Sequence, residues 1–484
     1  MRYPLYAFLL FCSVLFLMSG CGQKKKNLVK ISINHLKAAG DTVTIARTNM
    51  VSFDNIELGK VVLDSAGKGI AEFELSGPIF AYATAPHLAA GLFISPGDEL
   101  AIIPSKEGAK LAISFEGDGA VANQFINEAR QVRDGLEKWN GNYAIRLDRD
   151  EFLKAKDSLQ RGYDQLLANL KLQKQASEET VDLLTRQTKM SVLFYQYNYA
   201  LGRDTSEIPA SVGEAVKEMP VDTIALKTGM YDYALIASFF YQHKINNAIY
   251  EENESMDEDS LDAIFPQLVE KKIKSKRYPK AIEDFLRVKS ADYQIRMYGL
   301  SPNTIELAET LEMEIASTEL KNVVREDIAR WEKLGPGKPA PEFAGLAPDG
   351  RKISLSDLRG KVVYVDIWAT WCGPCIGEFP DSKKVQSGFK GNDKVAFLYV
   401  SVDRDTLAWR KMVAGDKVPK GIHIINGSDS PNSVWNQYHV WGIPRYLLID
   451  AAGRMVATHA VRPSSGKVTA ELQKLLSSNK LVQN

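Results

Sequence analysis

Cysteine is scarce in this chain of 484 residues: there are four, Cys12, Cys21, Cys372 and Cys375. Charge of one sign is missing as well, because Lys plus Arg and Asp plus Glu both number 60. A balanced chain gives no electrostatic reason to expect nucleic acid, or any broadly anionic body, as the partner. No internal repeat of fixed period is evident, which removes the solenoid architectures. What remains is ordinary globular composition, 45% hydrophobic and 25% charged. The length exceeds what one compact core fills, so two or three domains are expected.

The N-terminus departs from that average. Arg2 precedes an apolar run from Leu5 to Met18, broken only by Cys12 and Ser13, and Ser19 and Gly20 then lead into Cys21. A charged start, a short apolar stretch and small residues read as an export signal over residues 1–20. The run is shorter than the roughly 20 apolar residues of a spanning helix. The small residues ahead of Cys21 resemble the bacterial lipobox, in which that cysteine is lipidated, although Met18 stands where Leu is usual. An ordinary cleaved signal or a retained anchor helix are the other readings. Residues 21–27, with Gly22, Gln23 and Lys24 to Lys26, then form a polar tether holding the protein to the cell envelope on its periplasmic side. Cys12 leaves with the signal and Cys21 is taken by lipid, so only Cys372 and Cys375 remain. An exported protein works where structural disulfides persist, yet this one has no spare pair for a staple. Its thiols form a single C-x-x-C, which favours redox chemistry over scaffolding.

Residues 28–118 alternate with period two, in Val29-Lys30-Ile31-Ser32-Ile33, Thr42-Val43-Thr44-Ile45 and Ala71-Glu72-Phe73-Glu74-Leu75. Turn signals such as Gly67-Lys68-Gly69 and Pro96-Gly97-Asp98 separate them, predicting a β-sandwich-like N-terminal domain. Residues 119–334 predict an all-α middle region. In it Phe152, Leu159, Tyr163, Leu166 and Leu170 make one apolar helix stripe. The aromatic groups Phe194-Tyr195-Gln196-Tyr197 and Phe239-Phe240-Tyr241 are read as core rather than as a ligand cleft. Residues 335–338, in the Leu334 to Pro341 stretch rich in Gly and Pro, read as a linker to a domain over 339–484.

In that last domain Lys361 to Trp368 is a near-continuous apolar run, the pattern of a buried central strand. It leads through Ala369 and Thr370 into Trp371-Cys372-Gly373-Pro374-Cys375, so Cys372 falls at a helix N-terminus. Unpaired backbone N–H groups and the helix dipole favour a thiolate there, making Cys372 the attacking sulfur. Cys375, a turn further in, is placed to resolve a mixed disulfide on Cys372. Half of a zinc site would look the same. There is no second C-x-x-C, however, and the nearest histidine, His423, is far downstream. The reading assigns no metal and no cofactor.

The string Val365-Asp366-Ile367-Trp368-Ala369-Thr370-Trp371-Cys372-Gly373-Pro374-Cys375 resembles the thioredoxin superfamily. Within it, the chain is most similar to the TlpA/ResA-like exported thiol-disulfide oxidoreductases, over roughly Pro339 to Leu476. The resemblance implies an α/β thioredoxin-like fold at the C-terminus. It implies that Asp366 is the family's buried acid, able to take the proton of Cys375; a satisfied core aspartate is the plainer reading. Pro380 occupies the position at which the family kinks the active-site helix that Gly373 and Pro374 begin. Glu378, also common in the family, tunes the site or simply favours the helix. In Trp441-Gly442-Ile443-Pro444-Arg445, Pro444 is implied to be cis, leaving the backbone of Ile443 to pair with an extended substrate, with Trp371 as a further substrate contact. Tyr399 stands where cytosolic thioredoxins often carry a lysine near the buried acid. Val365 and Ala369 replace the Pro and Thr that peroxiredoxin chemistry needs.

Taken together, the sequence reads as a multi-domain envelope lipoprotein that reduces protein disulfides, since Gly373-Pro374 between the cysteines resembles the reducing members. Its partners would be protein disulfide substrates and a membrane electron donor. The alternative is a ligand- or partner-binding envelope lipoprotein carrying an accessory redox domain.

Overall fold

The structure is a computed structural model that describes residues 27–34, 40–86, 88–107, 110–136, 143–201, 203–427 and 432–481. The signal segment 1–20 and Cys21 with most of its tether lie outside these residues. The order along the chain is β-rich, then helical, then α/β, as the patterning predicts. None of the described helices is long and apolar enough to cross a membrane.

Contacts divide the chain into two compact units. The first holds the described part of Met1–Thr48 together with Asn55–Val192 and Lys227–Met230. Its strands are β1 (Leu28–Asn34), β2 (Thr42–Thr48), β3 (Asn55–Val62), β4 (Lys68–Glu74), β5 (Ile79–Ala85), β6 (Leu88–Ile94), β7 (Glu99–Glu107) and β8 (Lys110–Gly117). They form two four-stranded sheets, β4-β1-β7-β8 and β3-β2-β5-β6. The alternating apolar residues do what period two dictates. Val29, Ile31 and Ile33 of the first sheet and Val43, Ile45 and Ala83 of the second join one buried cluster.

Strand β6 is the edge of its sheet, with backbone groups that need partners. The helix Ala120–Asp134 supplies them. The Asn123 side chain, fully buried, accepts from the Phe93 N–H at 2.9 Å and donates to the Phe93 carbonyl at 2.9 Å. Asn127 donates to the Gly91 carbonyl at 3.0 Å. A Cβ at position 91 would sit 2.9 Å from Ile126 Cγ2, so glycine is what lets the helix approach. The helix Arg149–Gln173 buries Phe152, Leu159, Tyr163, Leu167 and Leu170. Leu167 rather than Leu166 is the residue that the helix buries between Tyr163 and Leu170.

The second unit comprises Asn49–Asp54, Leu193–Leu226 and Tyr231–Asn484. The helical stretch expected over 119–334 is therefore shared out, with its later helices belonging to the same unit as the α/β segment. Among these, Lys280–Tyr298 is buried on nearly every side, its charged residues included. Buried charges demand partners. Arg287 donates to Glu270 at 2.7 Å and to Glu314 at 2.6 Å, and Arg296 lies 2.7 Å from Asp292 and 3.2 Å from Asp54. The Phe194 and Phe239 rings stack at 5.8 Å, and Tyr197, Phe240 and Tyr241 are buried, so the aromatic groups serve packing.

The α/β segment carries β9 (Ala344–Leu346), β10 (Lys352–Ser354), β11 (Val362–Trp368), β12 (Val395–Ser401), β13 (Ile422–Ile425), β14 (Arg445–Ile449) and β15 (Met455–Ala457). They form one sheet in the order β10-β9-β13-β12-β11-β14-β15. Strands β11, β12 and β13 run parallel and are joined by helical crossovers, whereas β14 returns antiparallel beside β11. The predicted linker 335–338 is tied down on this sheet: Gly337 N–H donates to Met455 O at 2.7 Å and Met455 N–H to Lys338 O at 2.8 Å.

Asn123→Ala would leave the Phe93 N–H and carbonyl buried without partners. The expected loss is about 2 kcal/mol, read as a lower urea midpoint together with faster hydrogen exchange at the Phe93 amide.

Candidate active site

Strand β11 is buried at all seven positions. Val, Tyr, Ile and Trp side chains fit a strand covered on both faces, and the run ends in Ala369-Thr370, where the chain turns. That turn is anchored from the next strand. Asp403, two residues past β12 and buried, accepts from Thr370 N–H at 2.9 Å, from Thr370 Oγ1 at 2.7 Å and from Ser401 Oγ at 2.7 Å. The bend ahead of Trp371 and Cys372 is thus held by a buried carboxylate that the sequence reading did not single out. Its signal was present in Ser401-Val402-Asp403, a polar pair closing an apolar strand.

Cys372 is the N-cap of the helix Gly373–Gly377, and its sulfur accepts from the Cys375 N–H at 3.2 Å. The two cysteines form a disulfide with Cα atoms 5.3 Å apart. Cys375 is the more buried, at 1% exposure against 5% for Cys372. Trp371, by contrast, is 68% exposed and stands beside the pair as a surface feature.

The active-site helix differs from the continuous, kinked helix expected around Pro380. It is broken into Gly373–Gly377 and Phe379–Ser387, with Glu378 between them and Pro380 in the first turn of the second piece. Pro380 has no N–H to offer Ile376, so the ladder lapses there, and a first-turn proline costs the second piece nothing. Glu378 turns its side chain to Ser464, accepting from Ser464 N–H at 3.0 Å and Ser464 Oγ at 2.9 Å. It therefore ties this break to the segment after β15.

Asp366 lies mid-strand on β11 at 1% exposure, and neither carboxyl oxygen has a hydrogen-bond partner. Burial, reinforced by the negative charge of Glu378, holds its carboxyl well above the usual carboxylate range. Its register partners are Tyr399 on β12 and Tyr446 on β14. Both phenols are themselves pushed up, first by burial and then by Asp366. Tyr399 accepts from Gln386 Nε2 at 2.9 Å, so the helix Phe379–Ser387 covers this face of the sheet. Asp366 and the active-site helix consequently share one face. His423, the histidine considered for a metal, is stacked on Tyr399 at 4.9 Å and bonded to Pro419 O at 2.9 Å.

The Ile443–Pro444 peptide bond is cis. Arg445 pairs with Ile367, which sets Pro444 at the same end of the sheet as Trp368 and the turn into Cys372. The structure thus brings Cys372, Cys375, Trp371, Ile443 and Pro444 to one end of the central strands. Asp366 lies below them, and Glu378 flanks the site.

This segment has recognisable relatives. Residues 335–476 match the Redoxin family. A thiol-disulfide oxidoreductase ResA from Bacillus thuringiensis is 33% identical over 127 residues, which is 26% of this chain and 69% of that protein. The ResA of Bacillus subtilis is 31% identical over 125 residues, 67% of its length. A crystal structure of the thioredoxin domain of a thiol-disulfide oxidoreductase from Bacteroides vulgatus is 30% identical. It covers 29% of this chain and 97% of that one, with a TM-score of 0.27. The family match spans the C-terminal α/β segment, where the cysteine pair lies. With that match and the ResA relatives, the chain belongs to the thioredoxin superfamily, among the TlpA/ResA-like thiol-disulfide oxidoreductases.

Proposed function

We propose that the protein is an exported, lipid-anchored reductase of protein disulfides facing the periplasm. The observation that carries the chemistry is the Cys372–Cys375 pair at a helix start, above a buried acid with no partner. With the pair reduced, the Cys372 thiolate attacks a substrate disulfide. One substrate sulfur leaves as thiolate and a mixed disulfide forms on Cys372. Cys375 gives up its proton and attacks Cys372 Sγ, releasing the second substrate sulfur and restoring the internal disulfide. Two electrons pass to the substrate. The Cys375 N–H on Cys372 Sγ favours the thiolate, and Asp366 takes the proton from Cys375. Trp371 and the Ile443–Pro444 loop hold the substrate segment. Gly373-Pro374 between the cysteines supports the reducing direction, which in an oxidising compartment requires an electron donor at the membrane. Export and the anchor rest on the segment ending at Cys21. In the first unit the two four-stranded sheets sharing one core are read as a β-sandwich.

The direction is tested by the reduction potential of the pair in dithiothreitol and glutathione buffers. A value near about −270 mV supports a reductase, and one near about −120 mV makes the protein a disulfide donor instead. Cys375→Ser is expected to trap a mixed disulfide on Cys372, seen as a substrate-sized gain in mass under non-reducing conditions and removed by dithiothreitol. The same adduct formed as readily by Cys372→Ser, which keeps Cys375, would refute the assignment of nucleophile.

Asp366→Asn separates its two effects. A carboxyl raised in the folded state stabilises the fold below its unfolded pKa, near 3.8, and that contribution is lost as pH rises toward the folded value. The Asn variant should lack this slope, so its stability advantage over the parent should be larger at pH 8 than at pH 4. Its release of substrate from the mixed disulfide should slow by about 10²-fold. Unchanged release kinetics would remove Asp366 from the proton path.

A further inference from the structure

Directly after the cis proline comes an arginine on a strand whose five positions are all buried. Arg445 is 5% exposed, and a guanidinium taken that far from water ordinarily demands a carboxylate. Among the described residues Arg445 has none. Nε donates to Thr458 O at 2.8 Å and Nη1 to Met297 O at 3.3 Å, Nη2 has no partner, and the group lies 5.2 Å from the Trp331 ring. Burial pulls it down to about 9, still well above neutrality, so the charge is retained at pH 7. Alternation along β14 decides where this charge can act. Tyr446 is the register partner of Asp366 and shares its face, so Arg445 points to the opposite one, away from the cysteines and the buried acid.

What Arg445 meets on that face is the end of a helix. Met297 is in the last turn of Lys280–Tyr298, where carbonyls have no helical N–H to accept from and the dipole favours a cation. The same helix end touches the proline loop at two more points. The Arg296 guanidinium lies 5.2 Å from the Trp441 ring, and Met297 Cε is 3.8 Å from where a Cβ on Gly442 would be. Gly299, which terminates the helix at φ +75, allows the approach, since a Cβ there would be 2.8 Å from His459 Nδ1. The helix end is held in turn by Asp292 and Asp54 on Arg296.

We propose that Arg445 is a positioning residue for thiol-disulfide exchange. By capping the last turn of Lys280–Tyr298 it fixes the Ile443–Pro444 loop against the helical segment and so governs how well a polypeptide disulfide is held, without altering the cysteine chemistry. The helical segment is then a working part of the redox site, not a spacer ahead of it. This rests on the reading that the Ile443 backbone faces the substrate.

The test uses the full chain with Arg445→Met, Arg445→Lys and Trp331→Leu. Each is assayed against insulin, with dithiothreitol as electron source, and against hydroxyethyl disulfide, and the potential of the cysteine pair is measured alongside. Arg445→Met should raise KM for insulin about tenfold or more, with kcat within about twofold, because a displaced loop misplaces a long substrate. The small-disulfide rate and the potential should not move. Arg445→Lys should recover part of the loss, and Trp331→Leu should shift KM the same way. Equal losses with insulin and the small disulfide, or no change in KM in a folded variant, overturn the proposal. If Arg445→Met fails to fold, an unchanged insulin KM in Trp331→Leu overturns it. A parent protein that reduces hydroxyethyl disulfide but not insulin sinks the substrate-facing reading itself, and the proposal with it.

Discussion

The redox site depends on one strand being kept wholly out of water. Strand β11 has neighbours on both sides and cover on both faces, and its apolar side chains each contribute about 1.5–3 kcal/mol by burial. A strand held that firmly delivers its end to a fixed place, and its end is the turn into Cys372. The turn needs its own anchor because a buried strand offers no side-chain polarity beyond its last residue. Asp403 provides it from the neighbouring strand through three hydrogen bonds to Thr370. The sulfur pair is thus carried on a buried strand end whose turn is anchored, with Trp371 exposed beside it.

Within that strand Asp366 contradicts its surroundings. An acid with no hydrogen-bond partner in a dry core is a local conflict of the kind that folded proteins keep at working sites. The two flanking tyrosines do not resolve the conflict, since neither phenol donates to the carboxyl. Burial holds the carboxyl beneath the cysteines well above the usual carboxylate range.

Strand β14 does two jobs because its side chains alternate. Tyr446 faces the acid and the active-site helix, while Arg445 faces the end of Lys280–Tyr298. One residue apart in sequence, they connect the chemistry to the helical segment on opposite sides of a single sheet.

Much of this was legible in the residues. The C-x-x-C at the end of an apolar run was found from local pattern, as were the β-rich start and the helical middle, whereas the acid within that run and the Ile443–Pro444 loop came from the resemblance to the thioredoxin superfamily. The features found from pattern are short-range: periodicity, turn chemistry and a pair of thiols three apart. What the residues could not give was which distant groups meet. Asp403 on Thr370, Ser464 on Glu378 and Arg445 on the carbonyl of Met297 join positions 33, 86 and 148 apart. The division of the helices between two units likewise follows from packing. The sequence by itself determined that a thiol pair stands at a helix start after a buried strand, because that is set by neighbouring residues. Only the tertiary structure decided what meets the residue after the Ile443–Pro444 bond, because a backbone carbonyl looks alike at every position until the fold brings a particular one, here that of Met297, to a buried guanidinium.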